Sequence, residues 1–353
     1  MSQNTLDITA VRQKIDTRLG ILLDQRVTEA QEISPDYADL WEAIRACVLN
    51  GGKRLRPYLV FLGYSLAQGD ATEPVHSVAV ALELLHQSLM IHDDIIDRDL
   101  IRHGKENVAG IMRQKYGPLS SDSDHLANSA ALLAGDLLIS EAYYQISSAA
   151  MADSTRAQLI SRLHRTIYTV GGGELLDTES ILKPVGTENV IQIAQFKTAD
   201  YSFVTPLLCG AELGEAKPEL MKILQQAGME LGVAFQLQDD VLGVFGDSDA
   251  LGKSTKSDLR EGKRTLLVQT TYNNVTTKKR QMLDNLLGDP KLSDEDADVI
   301  RGIITESGAR EVVKVKIADL SQSALKKLDS ITDNSEVRKA VSGLITKLID
   351  RKQ

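Results

Sequence analysis

Apolar residues recur at helical spacing along almost the whole chain, and this pattern restricts the fold more than any other feature of the sequence. One such stripe contains Leu82, Leu85, Leu89 and Ile96. Residues three, four and seven positions apart lie on one face of an α-helix. Strict alternation of apolar and polar residues, which predicts strands, is not sustained anywhere. Aromatic residues make up only 4% of the chain and prolines number 8, a composition that favours helices over sheets. The sequence therefore predicts an all-α fold.

Further stretches with helical spacing follow, and most of the breaks between them contain glycine or proline. They cover residues 130–143, 155–170, 188–212, 219–245, 265–287, 294–306, 309–329 and 334–351. Ser293 precedes one of them as an N-cap, because the acidic residues that follow it complete a capping box. No change of composition marks an interdomain linker. We expect a single all-α domain that spans residues 1–353.

Charge and cysteine content restrict the partners and the compartment. The 40 basic residues are outnumbered by 49 acidic ones, for a net charge of −9, which argues against a nucleic-acid partner. Cys47 and Cys209 have no metal-ligand spacing, so a reducing compartment is expected. The N-terminal segment has no signal-peptide core, and no apolar run approaches the roughly 20 residues that span a bilayer. These features predict a cytoplasmic protein without a transmembrane segment.

Two acidic clusters carry the strongest chemical signal. The first contains Asp93, Asp94 and Asp97, and the second contains Asp239 and Asp240. Asp93 and Asp97 are one helical turn apart, with Cβ atoms roughly 5–6 Å from each other. Like charges at that spacing beside apolar neighbours repel, so a cation must compensate for them. Carboxylate oxygens as the only donors point to Mg²⁺.

Basic residues accompany both clusters. The loops that follow them contain Arg98, Arg102 and Lys105 after the first, and Lys253, Lys256, Arg260, Lys263 and Arg264 after the second. A third basic segment, GGKRLRP at residues 51–57, precedes both. Its glycines allow a turn and its proline suits a first helical turn, so its cations lie beside a helix N-terminus that favours anions. The combination implies either two phosphorylated substrates, or one substrate and one released phosphate.

These segments resemble, in order, the motifs of the trans-isoprenyl diphosphate synthases, or polyprenyl synthetases, of the bacterial geranylgeranyl or longer-chain type. The segments GGKRLRP, HDDIID followed by RHGK, FKTA, GVAFQLQDD and GKSTKSDLREGK carry the resemblance, which covers residues 45–268. It implies an isoprenoid synthase bundle around a central cavity. It also implies head-to-tail (1′-4) condensation of isopentenyl diphosphate with an allylic diphosphate, which releases diphosphate and gives an all-trans prenyl diphosphate.

The resemblance assigns roles to the matching residues. Asp93, Asp97 and Asp239 would ligate metal, with Asp94 and Asp240 in support. The resemblance also implies about three Mg²⁺ ions per active site, for which Mn²⁺ can substitute. The allylic diphosphate would be held by Arg102, Lys197, Lys253 and Lys263, with Thr198 and Gln236 near the carbocation. Isopentenyl diphosphate would be held by Lys53, Arg56 and His86, and His103 would be part of the same substrate site.

Two positions depart from the family pattern. His103 stands where the family usually has a second arginine, and near-neutral imidazole binds diphosphate more weakly than guanidinium does. Gly243 stands where many relatives have a third aspartate of the second cluster. We expect activity to survive this second change, because Asp239 provides most of the ligation there.

Product length is predicted from the residues that precede the first cluster. Ser88 and Leu89 lie five and four positions before Asp93, roughly 6–7.5 Å along the helix axis. In this family an aromatic side chain at that level stops the growing chain early. Ser88 is small and Leu89 is not aromatic, so we expect a product of twenty carbons or more, with Leu85 in the next floor of the pocket.

Several alternatives remain open at this point. The chain could be a non-catalytic or regulatory subunit of a heteromeric synthase, a farnesyl (fifteen-carbon) diphosphate synthase, or a cyclase of the same fold. A di-iron bundle would need paired Glu-x-x-His motifs, and only Glu83 to His86 fits that pattern. The resemblance further implies a homodimer, for which the helix at residues 129–149 would have a second face to bury.

Overall fold

The computed structural model describes residues 6–69, 73–102, 104–180, 182, 186–246 and 255–349. Two of the predicted site residues, His103 and Lys253, lie outside the described residues.

Helices make up almost all of the described secondary structure. In the first part of the chain they are α1 (Ile8–Ile33), α2 (Pro35–Val48), α3 (Leu55–Leu66), α4 (Glu73–Ile96), α5 (Val108–Tyr116), α6 (Ser123–Ser148) and α7 (Asp153–Ser180). Next come α8 (Thr187–Ile193), a π-helix (Ala194–Val204), α9 (Thr205–Leu213) and α10 (Pro218–Phe245). The last are α11 (Ser257–Glu261), α12 (Leu266–Asn274), α13 (Thr277–Leu286), α14 (Asp294–Glu306), α15 (Ala309–Asp329) and α16 (Ser335–Ile349). The strands β1 (Ile101–Arg102) and β2 (Lys105–Glu106) form a short antiparallel hairpin.

Side-chain caps explain where several helices begin. The Asp7 carboxylate accepts a hydrogen bond from the Ala10 amide at 2.8 Å at the start of α1. The Ser293 hydroxyl accepts from the Asp296 amide at 3.0 Å, which confirms the predicted capping of α14. Each such bond satisfies an amide that has no carbonyl partner within its helix.

The all-α prediction is confirmed, and three boundaries differ from the sequence expectation. The stretch 265–287 is two helices, because Thr276 begins a new helix after an extended Val275. The stretch 155–170 continues to Ser180, and 188–212 contains the π-helix. Ile96, placed in the apolar stripe, is 45% exposed because it lies at the end of α4. Among the described residues, no helix is both long and apolar enough to cross a membrane.

Contacts between Cα atoms divide the chain into two compact units. Unit 1 is Met1–Ser161 with Cys209–Glu215, and unit 2 is Arg162–Leu208 with Ala216–Gln353. The first acidic cluster therefore belongs to unit 1 and the second to unit 2. A single domain over residues 1–353, with both clusters around one central cavity, stays a prediction.

Unit 1 is built around the packing of α4 along α6. Small residues on α6, including Ala127, Ala131 and Ala134, are buried and let the two helices approach closely. Fully buried leucines of α4, Leu84 and Leu85, contribute to the same core. Close packing of this kind fixes the position of the carboxyl end of α4, which carries the first acidic cluster.

Unit 2 is built around α10, which packs against the π-helix and α15. A Cβ atom on Gly232 would lie 2.4 Å from the Cα atom of Ala199, so α10 and the π-helix touch through their backbones at this point. Leu237 and Val241 of α10 are buried in a cluster that extends to Ile300. The carboxyl half of α10, which carries the second acidic cluster, is therefore rigidly supported.

Candidate active site

The first acidic cluster lies in the last turn of α4 and faces an arginine from the following hairpin. Asp94 is 4% exposed, whereas Asp93 and Asp97 are half-buried. Arg102 donates from Nε to Asp94 Oδ1 at 2.6 Å and from a terminal nitrogen to Asp93 Oδ2 at 3.1 Å. Burial raises the pKa of Asp94 to about 6, even though Arg102 acts to lower it. The structure thus brings Arg102 together with two of the predicted catalytic aspartates.

The turn between α4 and α5 aims Arg102 back at these carboxylates. Arg98 adopts a left-handed conformation with φ 59°, and Gly104 within the hairpin has φ 72°. Asn107 accepts from the Gly110 amide at 2.9 Å and donates to the Asp99 carbonyl at 2.7 Å. The backbone that carries the basic residues after the first cluster is therefore a tight turn fixed by hydrogen bonds.

The GGKRLRP segment forms the turn into α3, as predicted, and its first arginine is structural. Gly51 and Gly52 have φ values of 99° and 119°. Arg54 is buried and donates to Asp16 Oδ1 at 2.7 Å and to Glu83 Oε1 at 2.6 Å. Sequence reasoning missed this buried ion pair, because nothing in the motif distinguishes Arg54 from its basic neighbours.

The residues predicted for isopentenyl diphosphate all belong to unit 1. Lys53 is exposed, and Arg56 is half-buried in the first turn of α3. His86 is half-buried on α4, seven residues before Asp93, or roughly 10 Å along the helix axis. Unit 1 therefore contains these cations and the first acidic cluster.

The second acidic cluster lies in α10, and its support comes from the π-helix. Thr198 Oγ1 donates to Gln236 Oε1 at 2.6 Å, and Gln236 Nε2 donates to Asp240 Oδ1 at 2.7 Å. Burial raises the pKa of Asp240 well above its usual value, and the charges of Asp258, Asp239 and Asp177 raise it further. Asp239 is exposed. The structure therefore joins Thr198, Gln236 and Asp240 in one hydrogen-bonded chain.

Lys197 is held by two carboxylates of α7. Its ammonium group donates to Glu174 Oε1 at 3.0 Å and to Asp177 Oδ2 at 2.7 Å. A Cβ atom on Gly173 would lie 2.4 Å from the Lys197 backbone nitrogen, so α7 and the π-helix are in direct contact here. These two ion pairs favour a supporting role for Glu174 and Asp177 beside Lys197.

Lys263, predicted to hold diphosphate, lies just after α11. Its ammonium group is 2.7 Å from Glu261 Oε2 and 3.9 Å from Asp258 Oδ1. Asp258 was not among the predicted site residues, because one acidic residue in a basic loop gives no signal by itself.

The predicted chain-length residues differ in their accessibility. Ser88 and Leu85 are 0% and 1% exposed, whereas Leu89 is half-buried. Ser88 Oγ has no hydrogen-bond partner among the described residues. Of these three residues, only Leu89 has a solvent-accessible side chain that a prenyl chain could contact. The assignment of a chain-length pocket to them stays a prediction.

The carboxylate oxygens of the two acidic clusters suit Mg²⁺. Among the residues that the structure describes, no three His, Cys, Asp or Glu side chains are placed to hold one metal ion. Mg²⁺ keeps several waters and is usually bound by one or two carboxylates together with substrate phosphates. The half-buried Asp93 and Asp97 and the exposed Asp239 supply carboxylate oxygens of this kind.

Comparisons with known proteins decide the family. A family model described as polyprenyl synthetase matches residues 38–304. The chain belongs to this family. It is 31% identical to the geranylgeranyl diphosphate synthase of Saccharolobus solfataricus over 328 residues, which cover 91% of this chain and 93% of that protein. It is 26% identical to an all-trans-nonaprenyl-diphosphate synthase of Rhodobacter capsulatus, covering 94% of each.

A solved structure agrees with these sequence relatives. The geranylgeranyl pyrophosphate synthase of Corynebacterium glutamicum, complexed with isoprenyl diphosphate and magnesium, superimposes with a TM-score of 0.93 at 31% identity. The match covers 98% of this chain and 100% of that one. The resemblance read from the motifs is confirmed, and this polyprenyl synthetase is a prenyltransferase. A di-iron bundle is no longer a competing interpretation.

Proposed function

We propose that this polyprenyl synthetase condenses isopentenyl diphosphate with an allylic diphosphate and releases an all-trans prenyl diphosphate of twenty carbons or more. One observation carries the proposal. Each unit has an acidic cluster with polar side chains bonded to its carboxylates. These side chains are an arginine in unit 1 and a hydrogen-bonded threonine and glutamine in unit 2, and they can interact with a diphosphate ester. Arg102 contacts Asp93 and Asp94 in unit 1, and Thr198 and Gln236 lead to Asp240 in unit 2.

Departure of diphosphate from the allylic carbon is the step that these residues assist. Lys197 carries an ammonium group among carboxylates, and a diphosphate can replace those carboxylates as its acceptor. Arg102 can act likewise, since guanidinium suits phosphate oxygens in pairs. Cations placed where negative charge develops lower the barrier.

Thr198 and Gln236 would serve the allylic carbon, which becomes positive and is stabilised by nearby oxygen lone pairs. Thr198 donates its hydroxyl proton to Gln236, so its oxygen lone pairs remain available toward the carbocation. The double bond of isopentenyl diphosphate then attacks that carbon, with its diphosphate held by Lys53, Arg56 and His86. Loss of a proton to the departed diphosphate completes the five-carbon extension.

Mg²⁺ is the implied cofactor, and when bound it neutralises diphosphate oxygens and assists the departure of the leaving group. Asp93, Asp97 and Asp239 would hold it, with Asp94 and Asp240 in support. About three ions per site, and replacement by Mn²⁺, are part of this proposal.

The product length is proposed from two supports. Relatives named geranylgeranyl and nonaprenyl diphosphate synthase make products of twenty carbons or more, and Ser88 and Leu89 are not aromatic. Ser88→Phe is expected to shorten the product. Chromatography of dephosphorylated products tests this, with Ser161→Phe at an exposed position of α7 as the control. An unaltered distribution with Ser88→Phe would show that the chain grows elsewhere.

The condensation itself is tested with purified protein, Mg²⁺, labelled isopentenyl diphosphate and primers of five, ten, fifteen and twenty carbons. We expect elongation that stops when the metal is chelated and that is lost in Asp93→Ala. Failure of the wild type with every primer would favour the regulatory-subunit alternative. A fifteen-carbon end product would favour a farnesyl diphosphate synthase.

We also propose a homodimer, supported by the exposed apolar side chains of α6. Leu126, Leu132, Leu133 and Tyr144 are all more than a third exposed. A second copy could cover them, because monomeric proteins rarely leave a continuous apolar patch in water. Light scattering should give twice the chain mass, and Leu133→Lys should shift it toward the monomer. A cytoplasmic location is likewise part of the proposal.

A further inference from the structure

Arg54 adopts a strained backbone conformation at the point where the chain enters α3. Its φ and ψ angles are 48° and 43°, in the left-handed region that residues with a side chain rarely adopt. A Cβ atom on Gly52 would lie 3.2 Å from a terminal nitrogen of Arg54, so the guanidinium group folds back against the turn. Strain of this kind persists only where the surrounding contacts hold it in place.

Hydrogen bonds to buried groups hold the Arg54 side chain. Its Nε donates to Asp16 Oδ1 at 2.7 Å, and its terminal nitrogens donate to Glu83 Oε1 at 2.6 Å and to the Val48 carbonyl at 2.8 Å. Gln87 Nε2 also donates to Glu83 Oε1, at 3.1 Å. Arg54 and Glu83 are each 2% exposed, whereas the Asp16 side chain is 36% exposed. The bond between Arg54 and Glu83 is therefore the charged contact that is fully shielded from water.

This ion pair joins the two elements that carry the residues proposed to hold isopentenyl diphosphate. Lys53 directly precedes Arg54, and Arg56 lies in the first turn of α3. His86 follows Glu83 by three residues on α4, a spacing that places both on one face of the helix. A shift of Arg54 relative to Glu83 would therefore change the distance between the cations of α3 and His86.

We propose that the Arg54–Glu83 ion pair positions the isopentenyl diphosphate site. By joining α3 to α4, it fixes Lys53 and Arg56 relative to His86. This inference rests on the proposed function. Both members of the pair are buried away from any substrate, so they are positioning residues. Groups that are already held in place bind a ligand with a smaller loss of conformational entropy. The pair should thus govern the affinity for isopentenyl diphosphate rather than the rate of the reaction once both substrates are bound.

Three variants test the assignment. Glu83→Gln keeps the shape of the side chain and removes its charge. Arg54→Lys keeps the charge, but an ammonium group lacks the planar fork that reaches several acceptors at once. The double variant Arg54→Met/Glu83→Leu removes both charges together, so that neither is left buried without its partner.

Glu141→Gln is the matched control. Arg26 of α1 donates from Nε to Glu141 Oε2 of α6 at 2.7 Å, and the Glu141 side chain is 7% exposed. This ion pair is buried in the same unit, but α1 and α6 carry none of the residues proposed to hold isopentenyl diphosphate. The control variant therefore reports the effect of weakening a buried ion pair on stability alone.

Steady-state elongation at saturating primer and Mg²⁺ gives KM for isopentenyl diphosphate. Arg54→Lys and the double variant should raise this KM about tenfold, because small displacements of binding groups are costly. Glu83→Gln should raise it about threefold, since its amide oxygen still accepts a weaker hydrogen bond. In all three, kcat and KM for the primer should stay within about twofold of the wild type. Glu141→Gln should lower Tm and leave the kinetic constants unchanged.

Calorimetry with isopentenyl diphosphate and Mg²⁺, without primer, measures the affinity in the absence of turnover and should show the same losses. Melting temperatures show which variants fold. A folded double variant or a folded Arg54→Lys variant with the wild-type KM overturns the assignment, and Glu83→Gln decides in the same way if neither folds. An equal rise of KM in Glu141→Gln also overturns it. If the wild type elongates primers, only the role of this ion pair falls. A wild type that elongates no primer overturns the proposed function instead.

Discussion

The two acidic clusters have the same residue types but different means of support. In unit 1 the carboxylates of Asp93 and Asp94 are contacted by Arg102, which follows them by only eight or nine residues. In unit 2, Asp240 depends on Gln236 of its own helix, then on Thr198, and lies near the charge of Asp258. The first cluster is assembled locally, whereas the second is assembled from helices that are distant in sequence.

The largest expected effect on kcat comes from removing one carboxylate from each of the two clusters. Asp93→Asn and Asp239→Asn should each lower kcat by about 100-fold or more if these carboxylates hold the cation that assists the departure of diphosphate, as proposed. Steady-state condensation assays at saturating Mg²⁺ measure this, with Asp153→Asn, whose side chain is fully exposed, as the control. A normal rate for Asp239→Asn alone would remove the second cluster from the metal site.

A smaller effect concerns stability and compares a backbone contact with a side-chain contact. Gly232→Ala would place Cβ 2.4 Å from the Cα atom of Ala199, whereas Gly135→Ala would place it 2.0 Å from His92 Nε2. A histidine ring can rotate and a helix backbone cannot, so we expect losses of about 3 and about 1 kcal/mol, respectively. Denaturant unfolding measures both.

Gly302→Ala is the control for this pair, because no atom lies within 4 Å of a Cβ placed there. It should stabilise the protein by about 0.5–1 kcal/mol, since alanine suits a helix better than glycine does. Equal losses for Gly232→Ala and Gly135→Ala would contradict the view that the second cluster depends on tighter helix contacts.

The pH dependence of stability follows from Asp94. Its pKa is raised from 3.8 to about 6 by burial, so the folded protein holds a proton that the unfolded chain releases. The stabilisation is complete below pH 3.8 and is lost as pH rises to about 6, by roughly 3 kcal/mol at most. Melting temperatures in chelator should therefore fall less steeply between pH 4 and 6 in Asp94→Asn. Parallel curves for the two proteins would show that Asp94 does not titrate in this window.

The last prediction is chemical and again concerns unit 1. Burial raises the pKa of the Cys47 thiol to about 12, and the charge of Asp94 adds to this. Because only the thiolate reacts, alkylation of Cys47 at pH 8 should be about a thousandfold slower than that of an exposed cysteine. Mass spectrometry of the Cys209→Ala variant after iodoacetamide follows it. Rapid modification of the folded protein would mean that α2 opens at this point.

Local patterns in the sequence predicted much of the molecule. The helical periodicity, the cap at Ser293 and the order of the motifs could be read directly, because each depends on residues close together in the chain. The contact of Arg102 with Asp93 is also local, but the sequence predicted only that Arg102 would hold diphosphate. The division of 265–287 was missed, since apolar spacing continues across the extended Val275.

Contacts between distant residues could not be predicted. Arg54 with Glu83, Lys197 with Asp177, and Asp258 against Gly243 join positions that no spacing rule connects. The sequence shows that Gly243 departs from the family pattern, but only packing shows that another side chain already fills the space. Site residues supported by tertiary contacts therefore need coordinates, whereas those within one helical turn do not.

The π-helix at Ala194–Val204 limits how this segment can vary in length. Each of its i→i+5 hydrogen bonds encloses one residue more than the i→i+4 hydrogen bond of an α-helix does. Regular α-helical bonding would advance each residue by about 100° around the helix axis, a larger step than that of the wider π-turn. A change of length that restored α-helical bonding would therefore alter the direction of Lys197 relative to Glu174 and Asp177, so the aim of this ammonium group depends on the π-helix.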